Sequence, residues 1–489
     1  MRSGSLVELS LACDERLAVH RFTVREAVSE LFSIKVLARC HNPVIDLKAL
    51  LGERAELHLV DHDRRWCGVC DRARLVEAVD VGEGEVGLST YEISIVPKLW
   101  LLSRRTRYRI FQHRSTPSIV CTLLEQWGLL EQATWLLQQD DHPARPYRVQ
   151  YGETDLDYLS RLLEEAGIAY RFDDESAEGT QLVLSDTLHE SAPRRGTPLL
   201  HVEHPTERTR HEYATRVCVT EELRPEAVVL RDHDFQRPTW SLVGEAHGDS
   251  SAAALVERYE PGAFLLERGT DRAAHDDRHG ATLARRTLDS LRLGGCSISF
   301  ETNAADVRPG TVVSIEGHPH PALDASAGLL ITRIEIDGSP EGEWSIRAQA
   351  VPASTSYRPP RRTAKPRVVG VQSATVVGPR GQEIHTDDHG RVRVQFPWDR
   401  DAQGSCWLRV VQGWAGAGLG LFALPRVGQE VLVAFLEGDP DQPVVVGRVS
   451  NPLNPPPLKL PEEKTQSVWR SGTTPGGEGY SEIRFEDEK

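Results

Sequence analysis

The sequence predicts a mainly β, β-rich α+β protein with a few helices, and three observations predict this class. Short runs of alternating apolar and polar residues fill residues 1–100 and return after residue 200. Residues 117–127 and 154–167 change instead to the spacing of amphipathic helices. Glu383–Ser450 combines alternating strands with turn residues, as in a small closed β-barrel. Its second predicted strand is Cys406–Gln412, and a Gly/Ala loop is predicted at Gly413–Gly420.

The first hundred residues contain short alternating runs such as LVELSLAC, LFSIKVLARC and YEISIVP. Gly, Pro, Asn and Asp separate these runs and mark turns between strands. The spacing predicts an antiparallel barrel at the start of the chain.

Helix signals follow at three places. Pro117 begins one predicted helix and Gly128 ends it, because proline fits the first helical turn and glycine tolerates the turn beyond the last. Thr154 caps a second helix that ends at Gly167. A charged amphipathic pattern predicts a third helix over residues 275–293.

The predicted strand Glu430–Glu437 is apolar on both sides. One side carries Val431, Val433 and Phe435, and the other carries Leu432, Ala434 and Leu436. A barrel strand needs one buried face, so the second row requires cover from another domain or another copy of the chain. We therefore predict that Val431–Leu436 form a core and self-association interface.

Length and composition predict the domain organisation. A chain of 489 residues should form about three domains at the usual 100 to 200 residues each. The Pro/Arg-rich segment Arg358–Pro366 is a predicted linker, because proline favours extended chain and removes amide donors. Residues 461–489 are polar and Gly-rich and are not expected to bury a core alone.

Charge and cysteine content narrow the possible partners. The formal charge is −15, with 72 acidic and 57 basic residues, which disfavours nucleic acid and anionic membrane surfaces. Phe396, Trp398, Trp407 and Trp414 could stack bases, but core or interface roles fit the acidic balance better. Eight scattered cysteines predict reduced thiols. We expect neither a signal peptide nor a membrane helix.

Several polar constellations could suggest chemistry, and a structural interpretation is favoured for each. Cys67 and Cys70 form a CxxC pair within an alternating strand rather than at a helix start. His275 and His279, beside Asp276 and Asp277, have a possible metal-ligand spacing, but a solvated helical face is the simpler interpretation.

Two further polar clusters are interpreted as loops. His385, Asp387, Asp388 and His389 precede Gly390 and indicate turn chemistry. His318 and His320 lie between prolines and receive no function. The sequence thus predicts no catalytic residue, no metal ligand and no cofactor site.

A family resemblance joins these features. EIHTDDHGRVRVQFPWDR, LFALPRVGQEVLVAFLEGDPDQPVVVGRV and NPLNPPP closely resemble the oligonucleotide/oligosaccharide-binding-fold (OB-fold) domain of VgrG proteins, the spikes of type VI secretion systems. GETDLDYLSRLLEEAGIAYRF, LRDHDFQRP, RPGTVVSIEGHP and YRPPRRTAKPRVVGVQSATVVG are similar to further landmarks of that family in the same order. The resemblance therefore covers nearly the whole chain.

The resemblance implies a domain plan. Residues 1–360 would form a phage-tail-hub-like region of two similar β-barrels with a helical insertion at about 116–167. Residues 361–369 would form a linker and residues 370–455 the OB-fold barrel. Residues 456–489 would be a connector and the first strands of a trimeric β-helical needle, which we expect to be truncated.

The resemblance also implies a function and partners. The expected protein is a non-enzymatic homotrimer, which makes Val431–Leu436 a trimer interface. It would cap the haemolysin-coregulated hexameric tube protein, carry a PAAR-repeat tip protein and effectors, and contact baseplate subunits. It would be cytoplasmic before firing and would then be secreted through the type VI apparatus into the medium or a target cell. The alternatives are a spike with an effector or hydrolase domain beyond residue 489, and a spike of a phage tail or extracellular injection particle.

Overall fold

The computed structural model of the chain shows a protein built largely from β-strands. It describes residues 6–489 apart from 14, 63, 80–86, 139–141, 177–178, 207–208, 210, 249–254, 261, 263, 269–271, 276, 324–327 and 343. The prediction of a mainly β protein with a few helices is confirmed.

The N-terminal part consists of antiparallel strands. They are β1 (Val7–Leu11), β2 (Ala18–Ala27), β3 (Ser33–Cys40), β4 (Arg54–Leu59), β5 (Arg64–Glu77) and β6 (Ser89–Val96). They pair in the order β1-β4-β5-β6-β3-β2. The alternating residues seen in the sequence face inward, with Ile34, Val36 and Ile93 fully buried.

A helical region follows. Its elements are β7 (Thr106–Arg114), α1 (Thr116–Gln126), β8 (Ala133–Leu136), β9 (Arg145–Thr154), α2 (Asp155–Ala166), β10 (Ala169–Ser176) and β11 (Gly179–Ser185). Ser115 caps α1 by accepting the Ser118 amide, and Thr154 caps α2 by accepting the Asp157 amide. Gly167 ends α2 with φ of 70°, in the left-handed region that favours glycine. Both predicted helices are confirmed to within two residues.

The next part returns to strands around one long helix. Its elements are β12 (Leu199–His201), β13 (Tyr213–Glu221), β14 (Ala227–Asp232), β15 (Leu242–His247), β16 (Leu255–Tyr259), β17 (Leu265–Arg268), β18 (Arg272–His275), α3 (Asp277–Arg292), β19 (Cys296–Thr302), β20 (Val312–Val313), β21 (Ile315–Glu316), β22 (Leu329–Gly338) and β23 (Trp344–Pro352). The predicted third helix therefore begins at Asp277, and His275 belongs to a strand.

One sheet joins the N-terminal strands to this later part. β2 pairs with β22 from Phe22 opposite Gly338 to Ala27 opposite Arg333. The ladder then continues through β23, β19, β13, β12 and β21, and β20 pairs with β22, which gives a sheet of thirteen strands. Its apolar residues form one continuous cluster that includes Val24, Ile334 and Phe300.

The last part contains a small barrel and a terminal hairpin. Its strands are β24 (Gln372–Val377), β25 (Arg393–Gln395), β26 (Trp414–Gly416), β27 (Leu419–Leu421), β28 (Glu430–Phe435), β29 (Pro443–Arg448), β30 (Gln466–Gly472) and β31 (Tyr480–Glu486). β25, β24, β28 and β29 pair in that order. β28 stops at Phe435, because Glu437 has a left-handed φ of 54°.

Two segments of this barrel have a secondary structure that differs from the prediction. Cys406–Gln412, predicted as a strand, makes only single bridges, with Leu408 opposite Val392 and Val410 opposite Val445. It changes partner within two residues and so forms no regular ladder. The predicted loop at residues 413–420 contains most of the exposed hairpin of β26 and β27.

Candidate functional site

The two rows of β28 have different environments. Val431 and Val433 are fully buried and Phe435 is nearly so, in a cluster that includes Val394 and Phe396. This row is the core of the small barrel itself. Because these side chains are already buried, they can support an interface between copies only indirectly, by stabilising the barrel.

The other row of β28 faces outward. Leu432 and Ala434 are partly exposed, and Leu436, just beyond the strand, has 47% of its surface exposed. The predicted interface therefore rests on this row. The alternating burial follows from the two-residue period of a strand whose one face is already packed.

Exposed apolar side chains are concentrated in the same part of the sequence as this row. Among the residues that the structure describes, sixteen of the twenty-nine exposed large apolar side chains lie between Val369 and Phe485, the last quarter of the chain. They include Trp414 and Phe422, each 64% exposed. A soluble protein rarely exposes large apolar patches unless another surface covers them.

The terminal hairpin exposes further apolar side chains. Within the part of the chain that the structure describes, β30 and β31 pair only with each other. Trp469 lies opposite Ile483 and Ser467 opposite Phe485, so Trp469, Ile483 and Phe485 share one face. All three are more than half exposed. An isolated two-stranded hairpin is marginal in water, so this face also requires a partner surface.

The connector Arg358–Pro366, between the large sheet with its helical region and the small barrel, is held in place. The Arg358 guanidinium donates to the Gly167 carbonyl at 3.1 Å. The Thr363 amide and hydroxyl both donate to the Glu164 carboxylate, at 2.9 and 2.8 Å. Arg358–Pro366 lacks regular secondary structure, as a linker would, but its hydrogen bonds fix it along α2.

A buried ionic network continues from this connector into the barrel. Lys365 Nζ lies 2.7 Å from an Asp439 carboxylate oxygen and 2.6 Å from Asp441 Oδ2. Arg148 of β9 contacts both Glu165 and Asp441. Burial raises the pKa of Asp441, but the charges of Lys365 and Arg148 outweigh it and leave the pKa below its usual value. The network joins β9, α2, the connector and the β28–β29 turn.

An aromatic contact forms a second link. Phe235, in the loop after β14, lies 5.2 Å from the Arg391 guanidinium and 4.9 Å from that of Arg409, measured to the ring centroid. Asp232 holds this loop by accepting the amides of His233, Gly262 and Phe264. Cation–π contacts of this kind tie the loop after β14 to the small barrel.

Sequence reasoning did not identify this junction. Lys365, Asp441 and Arg148 are separated by up to about 290 residues along the chain, and each looks like an ordinary surface charge. The segment RDHDFQRP, which resembles a family landmark, contains Phe235 and was the one sequence signal for this junction. It did not indicate which residues Phe235 contacts.

The base-stacking candidates are divided between core and surface. Phe396 is buried and stacks on Trp398 at 4.8 Å, and Trp398 packs against Tyr108 and Tyr151 between β7, β9 and the barrel. Trp414 is exposed on the β26–β27 hairpin. Phe396 and Trp398 therefore have the core and interface roles that were predicted.

The histidine pair was interpreted incorrectly. His279 lies in the first turn of α3 and is buried, with its Nε2 atom 3.2 Å from Arg145 Nη2, so it does not lie on a solvated helical face. His275 ends β18 rather than sharing a helix with His279. The His275 and Asp277 side chains and Asp276 lie outside the described residues.

The cysteine pair and the polar cluster around Asp387 have structural roles. Cys70 is buried in β5, and burial raises the pKa of its thiol to about 11, away from reactivity. Asp387 accepts hydrogen bonds from the Arg391 side chain at 2.6 Å and from the amides of His389 and Arg391, which is the predicted turn chemistry.

Within the described residues, no group of three or more His, Cys, Asp or Glu is placed to hold a metal ion. No helix in that part of the chain is long and apolar enough to span a membrane.

Comparison with known families matches both parts of the chain. The family described as phage tail baseplate hub (GPD) matches residues 25–342. The family described as the type VI secretion system/phage-baseplate injector OB domain matches residues 380–449. These ranges correspond to the large sheet with its helical region and to the small barrel.

Two individual proteins are similar to this chain over nearly its whole length. The type VI secretion system spike protein VgrG4b of Pseudomonas aeruginosa is 35% identical over 97% of this chain, which spans 59% of that protein. The actin cross-linking toxin VgrG1 of Vibrio cholerae is 33% identical over 97% of this chain, which spans 44% of that protein.

A solved structure shows the same fold. The E. coli c3393 protein, described as a type VI secretion component with structural similarity to T4 bacteriophage tail proteins gp27 and gp5, aligns with a TM-score of 0.65. It is 21% identical, and the alignment covers 90% of this chain and 100% of that one. With a hub match over most of its length, an OB-domain match and these relatives, the chain belongs to the VgrG family of phage-tail-hub-like spike proteins.

Proposed function

We propose that three copies of this chain assemble into the spike of a type VI secretion system. The observation that carries the proposal is the exposed apolar surface of the small barrel and terminal hairpin, including Leu436, Trp414, Trp469 and Phe485. Three copies around one axis would cover this surface, because a rotationally symmetric assembly closes without leaving an exposed end. The relative named as a spike protein supports the same role.

The proposed partners follow from this role. The trimer would cap the haemolysin-coregulated hexameric tube protein with its hub-like part, residues 1–360, and contact baseplate subunits there. The small barrel at residues 370–455 and the connector and hairpin at residues 456–489 would lead toward a PAAR-repeat tip protein. Effectors would travel as cargo. The protein would be secreted with the tube, in keeping with the name of its Pseudomonas relative.

We propose a structural rather than catalytic role for the described residues. Asp155, Glu165 and Asp441, whose pKa values are lowered, each contact arginine or lysine within the fold. Burial raises the pKa of Glu153 and Asp439, but each of these also pairs with a basic side chain inside the fold rather than facing an open site. Such buried pairs hold elements together, whereas a general acid requires an open site and a raised pKa. The work of penetration would come from contraction of the surrounding sheath.

One relative favours a second candidate function. The Vibrio protein is named as an actin cross-linking toxin, and this chain spans 44% of it. A spike core of this kind can therefore be part of a longer chain with an effector domain. A spike of a phage tail or an extracellular injection particle is the remaining alternative, and neighbouring genes would distinguish it.

Secretion of the tube protein tests the proposed function. The gene for this chain is deleted in the bacterium that encodes it, and tube protein in the culture medium is measured by immunoblotting. We expect secretion to be lost and to return with the wild-type gene. Normal secretion after deletion of every related spike gene would contradict the proposal.

A further inference from the structure

A cleft of about 580 Å³ lies between the hub-like part and the small barrel. β9, α2 and α3 form one side, and the connector and barrel form the other. Ten of its lining residues are Arg or Lys and six are Asp or Glu, although the whole chain has 57 basic and 72 acidic residues. The cleft thus reverses the charge balance of the protein.

Many of these charges have partners within the fold. Arg148 contacts Glu165 and Asp441, Lys365 contacts Asp439 and Asp441, and Arg361 contacts Glu260 at 3.0 Å. These pairs account for the acidic side chains along the connector side.

The barrel side presents arginines without carboxylate partners. Arg393 lies over the Trp407 ring at 5.4 Å, and Arg409 over Phe235. In the described part of the chain, no ion pair within 4.0 Å forms at either guanidinium. The buried Arg393 Nε atom also lacks a hydrogen-bond partner there. Two guanidinium groups, each stacked on an aromatic ring, therefore face the cleft.

One further residue of the cleft has a polar atom without a partner. Tyr147 has 7% of its surface exposed, and its buried hydroxyl makes no hydrogen bond within the described residues. A carboxylate bound in the cleft would supply an acceptor for this hydroxyl.

The lining favours a peptide over a phosphate chain. An arginine fork binds a carboxylate or a phosphate, so the rest of the wall decides between the two. Pro143, Leu283 and Val444 supply apolar wall suited to peptide. A volume of this size holds a short segment rather than a long polymer.

We propose that this cleft is a docking site for a short acidic peptide segment of another protein, with Arg393 and Arg409 as its main carboxylate-binding residues. Charge complementarity carries the choice of occupant. The proposal stands independently of the spike role, because it concerns binding to the purified chain.

Fluorescence anisotropy of a labelled hexaglutamate peptide with the full chain tests the proposal. We expect saturable binding that weakens by about tenfold or more when Arg393→Gln and Arg409→Gln are combined, since each removes charge-assisted hydrogen bonds. Arg347→Gln, an exposed arginine of β23 paired with Asp337, is the matched control and should leave binding unchanged. If the double variant does not fold, Arg409→Gln alone, at an exposed position, should still weaken binding.

Competition separates the possible ligands. Unlabelled hexaglutamate should displace the probe, and citrate or a hexathymidine oligonucleotide at equal charge should displace it poorly. Equal displacement by citrate would assign the cleft to a free tricarboxylate and overturn the peptide assignment. Equal displacement by the oligonucleotide, absence of binding, or unchanged binding in the arginine variants would also overturn it.

Discussion

Asp155 shows how a single residue organises the helical region. It is fully buried at the start of α2 and accepts hydrogen bonds from four side chains: Arg105 at 2.6 Å, Arg109 at 3.1 Å, Gln150 at 2.9 Å and Trp127 at 3.0 Å. A carboxylate is the side chain that can accept all of these donors at once. The contacts join α1, α2, β7 and β9.

Replacing Asp155 tests this organisation. We expect Asp155→Asn to lower the free energy of unfolding by about 3 kcal/mol or more, because it leaves Arg109 buried beside a neutral group. Asp157→Asn is the control. Asp157 lies in the same helical turn but is exposed, so its loss should cost less than about 1 kcal/mol. Equal costs in urea denaturation would contradict the assignment.

The same residue predicts a pH dependence. Burial raises the pKa of Asp155, but the hydrogen bonds from Gln150, Trp127 and Arg105 outweigh it and keep the pKa below its usual value. The carboxylate therefore stabilises the fold fully above the unfolded pKa of about 3.9, and this contribution is lost as the pH falls through the folded value.

Asp155→Asn cannot titrate at this position. We expect the variant to lose less stability than the wild type between about pH 5 and pH 3. Thermal unfolding measured across that range checks the difference. Parallel loss in both proteins would show that Asp155 does not contribute to the acid sensitivity.

At the level of elements, the sequence predicted what local chemistry determines. Thr154 and Gly167 lie at the two ends of α2, and capping depends on neighbours within a few residues. The segment Cys406–Gln412 was predicted less well, because its partners Val392 and Val445 are distant in sequence and determine its irregular bridges. His279 was assigned to a solvated face because periodicity does not reveal the packing of Arg145 against it.

The two rows of β28 give a matched pair of variants. We expect Val433→Asp to destabilise the barrel by roughly 4 kcal/mol or more, because it buries an unpaired charge. Leu436→Asp should leave stability within about 0.5 kcal/mol, because Leu436 is exposed. It should weaken association between copies by about tenfold or more.

Circular dichroism and sedimentation distinguish the two effects. An unfolded Leu436 variant, or a fully assembled one, would contradict the assignment of the outer row to an interface.

At the level of the whole molecule, the sequence predicted the parts better than their connection. The hub-like region and the OB barrel were recognised from continuous motifs, and family matches confirm the recognition. The network of Lys365, Asp441 and Arg148 was not predicted, because it forms only when three distant segments meet. The predicted linker is therefore part of a packed junction.

Lys365 tests the rigidity of that junction. We expect Lys365→Met to cost about 2 kcal/mol, because Asp439 and Asp441 lose their shared ammonium group. The connector should become cleavable by protease under native conditions. Lys35→Met, at an exposed position on β3, should leave the cleavage pattern unchanged. An intact connector in the Lys365 variant would show that the other contacts hold it alone.

The mass of the purified chain in solution tests the central proposal most directly. We expect light scattering over a dilution series to give three times the 54.4 kDa of one chain, with dissociation only at low concentration. A mass of 54.4 kDa at every concentration, in a folded protein, would contradict a spike whose exposed apolar surfaces are covered by its own copies.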